Sequence, residues 1–160
     1  MISHELPLQH MAWSNQAVLE FFGSQGDDVF GLRAAEGEWP IGRLLTHLIG
    51  SAEWYRYCLG GEKWTDLKPI NSGAIALEYV HYLSELDAFL VSQAALSDEE
   101  LTIDGEGEII HATRSLILSQ APAHAAEHKG QIAAIMKQHG HHFDLDSLDV
   151  WNYFGTLKNK

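Results

Sequence analysis

The residues best equipped for chemistry lie in the stretch HAAEHKGQI, residues 124–132, where His124 and His128 stand four positions apart. On a helix this is one turn, so both imidazoles share a face. With His124 at zero on a helical wheel, His128 falls at about 40°, and Ile132, Ile135 and Met136 lie within about 80° of it. The pair therefore belongs on or beside a core-facing stripe. Spacing leaves two readings open: metal ligands, or histidines that hydrogen-bond hydroxyls or water, since an unpaired buried imidazole nitrogen costs about 1–3 kcal/mol. A third histidine, His47, stands on the apolar stripe of another segment, three residues after Leu44. Three imidazoles converging from two helices supply a facial set of nitrogen ligands for a divalent metal and leave coordination positions open. Neutral ligands leave such a metal its full charge, which acidifies water or ionises a thiol near neutral pH.

The other candidates are weaker. His139 shares the azimuth of His128 but lies about 16 Å further along the helix, out of reach of a common metal. The cluster HGHH at 139–142 fits a carbonyl-rich helix end in solvent. His4, His10 and His111 read as surface or capping residues. Glu127 lies about 60° from His124 and reads as an exposed helix residue, with an outer-shell role as the alternative. Asn15 and Ser51, on the inner stripes of their segments, are outer-shell candidates. Cys58 reads as inert packing rather than a redox thiol.

Three rival motifs fail on physical grounds. HAAEH formally matches the inverted zinc-protease pattern H-x-x-E-H, but such enzymes need a downstream acidic ligand and far more chain than the 32 residues after His128. Glu78 with His81 and Glu108 with His111 form Glu-x-x-His pairs of the di-iron type. The third segment, however, points Tyr79, Tyr82 and Leu86 inward and turns His81 about 150° away. DGEGE and DLDSLD are similar to calcium loops but lack the required glycine and terminal glutamate.

Four segments of helical period must position these groups. The first covers about 5–22, with Leu8, Met11, Val18, Leu19 and Phe22 on one face. The second begins around Pro40, suited to a first helical turn, and runs to about Cys58 with Ile41, Leu44, Leu48, Ser51 and Tyr55 on its stripe. The third spans about 73–95. The fourth runs from about Ala112 to Gln138 or His139 and stops at Gly140, a residue suited to helix termination. Pro122, two residues before His124, predicts a kink or broken turn. The linker LGGEKWTDLKPINS, about 14 residues, can stretch to about 45 Å, more than the length of a 20-residue helix, so the second and third helices can run parallel across a crossover. LTIDGEGEII predicts a small hairpin or an irregular loop. The economical result is an all-α four-helix bundle.

Composition limits the function classes. A chain of 160 residues with 46% hydrophobic residues, five Trp, five Tyr and six Phe is expected to form one globular domain over 1–160. The net charge of −12 repels phosphate backbones, which argues against a nucleic-acid partner. The single cysteine rules out an internal disulfide, and the start MISHELPLQH has neither the basic flank nor the apolar stretch of a signal peptide. No apolar run reaches membrane-spanning length, so a soluble cytoplasmic protein is expected. The aromatics Trp151, Tyr153 and Phe154 are expected to close the bundle or to be buried at a dimer interface.

THLIGSAEWY followed about 75 residues later by HAAEHKGQI resembles the DinB/YfiT-like family of metal-binding four-helix bundles, and MAWSNQAVLEFF is similar to that family's first helix. The family's Arg-Gly-Gln-Leu after the histidine pair reads Lys129-Gly130-Gln131-Ile132 here. The resemblance implies an up-down-down-up bundle, often dimeric, with His47, His124 and His128 as ligands of a divalent metal; nitrogen ligands with open positions suit zinc, nickel, iron or cobalt. It further implies a metal-dependent hydrolase or a thiol-dependent transferase acting on a small molecule, the thiol being of low molecular weight. A metal-binding or interaction protein without catalysis is the alternative.

Overall fold

The structure is a computed structural model and describes residues 3–158. It is mostly helical, with five α-helices and one two-stranded sheet: α1 (Glu5–Gly23), α2 (Ile41–Cys58), α3 (Gly73–Gln93), β1 (Glu100–Asp104), β2 (Ile109–Thr113), α4 (Arg114–Gln138) and α5 (Val150–Lys158). The four expected helices are present, and their apolar stripes supply the core: Leu8, Leu19 and Phe22 from α1, Ile41, Leu45 and Ile49 from α2, Leu83, Leu86 and Leu90 from α3, and Ile132 and Met136 from α4 are all buried. α1 packs on α3 and α4, and α2 packs on the same two helices. Among the described residues no helix is long and apolar enough to cross a membrane.

Local chemistry sets the boundaries. Pro40 is extended and serves as the N-cap of α2, one position before the first turn in which the sequence reading placed it. Ser72 caps α3 by accepting from the Ile75 amide, and Thr113 caps α4 by accepting from the Leu116 amide at 3.2 Å. α4 begins at Arg114 and not at Ala112, because the preceding residues are paired in the hairpin, with Leu101 opposite Ala112. At the other end Gly140 takes φ +78°, and the His141 amide donates to Met136 O, closing α4 as the glycine predicts. α4 runs unbroken past Pro122, without the expected broken turn. The Leu118 carbonyl that loses its partner lies one turn before the site.

Three fastenings hold the connections. Glu53, buried in α2, accepts from the Thr65 amide at 3.1 Å, the Thr65 hydroxyl at 2.7 Å and the Tyr82 hydroxyl at 2.6 Å, which ties the long linker and α3 to α2. The linker then crosses the first turn of α2, where the Ile70 amide donates to Thr46 Oγ1 at 2.9 Å. A Cβ at Gly42 would meet Ile70 O at 2.1 Å, so only glycine admits that crossing. Arg114 donates to Ser97 O at 3.1 Å and Gln93 Oε1 at 2.5 Å, and pairs with Glu99, anchoring the hairpin.

α5 lies outside the four segments read from the sequence. Tyr153 closes on α1 against His10 and Trp13, with ring centroids 5.9 and 5.5 Å away. Trp151, at 79% exposure, and Phe154, at 45%, face outward, so of the two expected roles, closing the bundle or burial at a dimer interface, the first holds for Tyr153 and not for the other two.

Candidate metal centre

α2 and α4 deliver His47, His124 and His128 to one point. His124 Nε2 lies 3.2 Å from His47 Nε2 and 3.0 Å from His128 Nε2, and one nitrogen from each ring falls within 4.8 Å of the others. A metal held by nitrogen at about 2.0–2.1 Å, with ligands 90° to 109° apart, requires nitrogens about 2.9 to 3.4 Å from each other. The two short separations fall in that window. Neutral rings cannot all present lone pairs to each other at this distance without a proton or a cation between them. The donor set is thus compatible with a divalent metal.

The surroundings favour the neutral, ligating form. Burial lowers the His47 pKa first, and the neighbouring His128, His124 and Arg43 lower it further. Burial likewise lowers that of His124, with His128 adding to the effect. His128 Nδ1–H donates to Gln131 Oε1 at 2.7 Å, a bond that fixes the tautomer and leaves Nε2 free to ligate. Aromatic edges flank the cluster: Trp39 meets His47 at 5.0 Å and Tyr55 meets His124 at 6.2 Å, both nearly perpendicular. The Arg43 guanidinium lies over the Trp39 ring, 4.2 Å from its centroid. Beside His128 opens a cavity of about 370 Å³ lined by Trp39, Leu44, Gln131, Ile135 and Gln138.

The remaining sequence candidates divide clearly. Ser51 Oγ stands 3.5 Å from His47 Nε2, beside the cluster. Asn15 does not touch the histidines; its Nδ2 donates to Asp87 Oδ2 at 3.0 Å, and its Oδ1 accepts from Lys129 Nζ at 3.1 Å. Glu127 is exposed, as the helical wheel indicates. Cys58 is buried and its thiol is pushed up to about 11 by desolvation, which suits packing and not redox chemistry. His139 points away to Arg33 O at 2.9 Å, and His81 pairs with Glu85 on the surface at 3.4 Å. His111 is exposed on β2, whereas His10 is half-buried and reaches Leu148 O at 2.7 Å.

The sequence reading passed over Asp87, Lys129 and Gln131. Asp87 is 1% exposed in α3 and Lys129 5% exposed in α4, and Lys129 Nζ also donates to Ser14 Oγ at 2.5 Å. Burial pushes the Asp87 carboxyl up to about 7, partly offset by Asn15 and Lys129, and pulls the Lys129 ammonium down to about 8, partly offset by Asp87. A signal was present: Asp87 is flanked by Leu83 and Leu90, and Lys129 by Ala125 and Ile132, at helical spacing. Charges on an apolar stripe mark an internal polar cluster, here with Asn15 between the two.

The sequence pattern that defines the DinB family matches residues 1–147 of the 160. The chain belongs to the DinB family. No curated protein matches it in sequence. The DinB match spans α1 to α4 and includes all three histidines, so the cluster is part of the family domain, whereas α5 follows the matched region.

Proposed function

We propose that this DinB-family protein is a metal-dependent enzyme acting on a small molecule, with His47, His124 and His128 as the ligands of one divalent ion. The observation that carries this reading is the meeting of three imidazole nitrogens within 4.8 Å beside a cavity of about 370 Å³. That volume lies in the range that holds small ligands, and its lining is mostly apolar with two glutamine amides, the Glu38 carboxylate and the His128 ring as its polar groups. Open positions on an ion held by three neutral imidazoles, as zinc, nickel or iron would be, supply an activated water or thiolate nucleophile. Trp39, Leu44 and Ile135 hold the apolar body of the substrate, and Gln138, whose Nε2 donates to Ala34 O at 2.9 Å, offers its Oε1 as an acceptor. Gln131 keeps His128 in its ligating tautomer. The reaction is hydrolysis or transfer of a low-molecular-weight thiol to an electrophile, according to which nucleophile the site accepts.

The fold that supports this site is a four-helix bundle of up-down-down-up course. Four contacts favour it: Gly23 O lies 2.7 Å from a Cβ placed on Gly73, the end of α1 against the start of α3; Ile70 crosses Gly42, the starts of α2 and α3 together; Lys129 reaches Ser14 and Asn15; and Phe143, just past α4, meets Phe21 near the end of α1.

The test begins with elemental analysis of stripped and reloaded protein. One ion per chain is expected, lost in His47→Ala, His124→Ala and His128→Ala; retention of stoichiometric, tight metal by all three variants overturns the ligand assignment. The loaded protein is then assayed with thiols plus electrophiles and with simple esters. Turnover that disappears on metal removal supports the enzyme, and full loading without turnover on either class favours a binding protein.

A further inference from the structure

The two histidines of α4 are not held alike. With its Nε2 turned to His47 and His128, His124 keeps Nδ1 as its remaining polar atom, and no hydrogen bond to it is present among the described residues. Gln131 serves this function for His128. Metal-ligating histidines generally donate from the second nitrogen to an acceptor that fixes ring and tautomer. An acceptor without a partner lies nearby. Asp87 Oδ1 is buried and unpaired, although Asp87 Oδ2 accepts from Asn15. An unpaired buried carboxylate oxygen is costly unless something donates to it.

Asp87 and His124 line the same small cavity, together with Asn15, Ser51 and Tyr55, between α1, α2, α3 and α4. Its volume is about 10 Å³. That is close to the lower limit for a single water molecule, and the site offers the two to four polar partners that such a water needs. No direct Asp87–His124 hydrogen bond is present among the described residues, and both side chains line the cavity.

We propose that this cavity is an internal water site, and that its water accepts from His124 Nδ1–H and donates to Asp87 Oδ1, which makes Asp87 a positioning residue for the metal ligand His124. The second proton of the water is available to Ser51 Oγ. Asn15 and Lys129 hold the carboxylate from behind through the bonds already described, so a chain from α1, α3 and α4 ends on one imidazole. The inference rests on the proposed metal centre.

The test uses cobalt and zinc titrations of the full chain as it stands, of Asp87→Asn and of Asp87→Leu, each with thermal unfolding of the metal-free form. Asn keeps the shape but presents a donor to the water, and Leu removes the polar group. Metal affinity is expected to fall about 10- to 100-fold, with a changed visible spectrum of the cobalt form, while the metal-free Leu variant unfolds at a lower temperature than the parent, because Lys129 keeps a buried ammonium without its carboxylate, but stays folded at the temperature of the titration. In zinc-loaded protein without substitution, NMR of histidine labelled with nitrogen-15 should place the proton on His124 Nδ1 and connect it to a long-lived water. Parent-like affinity and cobalt spectrum in both variants, or a His124 Nδ1–H without a water contact, overturn the inference and leave the metal centre intact. Failure of the unsubstituted protein to take up either metal overturns the metal centre itself.

Discussion

Replacing Gln131 with leucine gives the most direct reading of how the proposed site is held. His128 is 8% exposed, and its Nδ1–H donates to Gln131 Oε1 at 2.7 Å one turn away on α4. With that acceptor gone, the ligating tautomer keeps a poorly satisfied N–H, at a cost of about 1–3 kcal/mol. The other tautomer places its proton on Nε2, where it donates to His124 Nε2 at 3.0 Å and takes His128 out of the ligand set. Either state competes with metal, and at about 1.4 kcal/mol per tenfold the loss is about 5- to 140-fold in affinity. Gln131 is itself exposed, so water reaches Nδ1 in the variant and the expected loss is in the lower part of that range, about 5- to 20-fold. Gln131→Glu should act in the opposite direction, because a carboxylate acceptor makes the bond charge-assisted and the ring a better donor to metal. The assay is competition for zinc against a chromophoric chelator at pH 7.5, with circular dichroism to verify folding. A folded Gln131→Leu protein that binds within twofold of the parent, or a Gln131→Glu protein that binds more weakly than the leucine variant, refutes the tautomer argument.

Acid should weaken the metal-free fold through His47, whose pKa is lowered in the folded state. The unfolded chain takes up that proton first, so the stability present above about pH 6.5 is lost as pH falls below it. Asp87 runs the other way: raised to about 7, it contributes stability at low pH that is lost as pH rises through that value. The histidine effect is therefore read as the difference in unfolding temperature between the parent and His47→Leu from pH 8 to 5, and a difference independent of pH contradicts it. Glu53→Leu removes one acceptor from three donors and should cost about 2–4 kcal/mol in urea unfolding, with less than about 1 kcal/mol arguing that the linker clamp is dispensable. Gly42→Ala should destabilise by about 1–3 kcal/mol although alanine favours helix by about 1 kcal/mol, since its Cβ collides with Ile70 O; a stabilised variant would show that the linker yields freely.

The parts of this protein that follow from periodicity were legible in its sequence. The stripes of Leu8 to Phe22, Ile41 to Tyr55 and Leu83 to Leu90 give α1, α2 and α3, and Gly140 marks the end of α4. His47 was identifiable because it interrupts an apolar stripe, and two histidines one turn apart invite a third. α5 was not read because it packs mainly through one residue, Tyr153, and so carries only a short apolar signal of its own. Pro122 breaks no turn, because the loss of one backbone bond is tolerated where Ala121 and Ala125 bury the helix on both sides. Asp87 and Lys129 were hidden for a different reason. Their significance is pairwise, and pairing across helices about 40 residues apart in the chain is a tertiary fact that neither local pattern contains.

That pairwise character also explains why the polar chain lies where it does. A carboxylate and an ammonium inside a helical protein gain little net stability, and a well-packed apolar pair is often the more stable choice. Stability alone therefore gives no reason to keep Asp87, Asn15 and Lys129 in the interior, whereas the geometry beside them does. Three imidazoles 3.0 to 3.2 Å apart along two contacts must be kept neutral and aimed inward. Side chains held only by dispersion can rotate, but a hydrogen bond to Nδ1 fixes both the rotation and the tautomer of a ring. Gln131 does this from the cavity side of α4, where it remains in reach of solvent. On the inner side His124 lines the cavity that Asp87 also lines, so in the proposed arrangement its acceptor comes from the core, and a buried acceptor requires its own counter-charge. Lys129, one residue after His128 and turned toward α1, provides that charge without approaching the histidine nitrogens. Under the proposed metal centre, the buried polar chain is a consequence of placing a ligand site inside a helix packing, with its destabilising part offset when an ion binds the folded form alone.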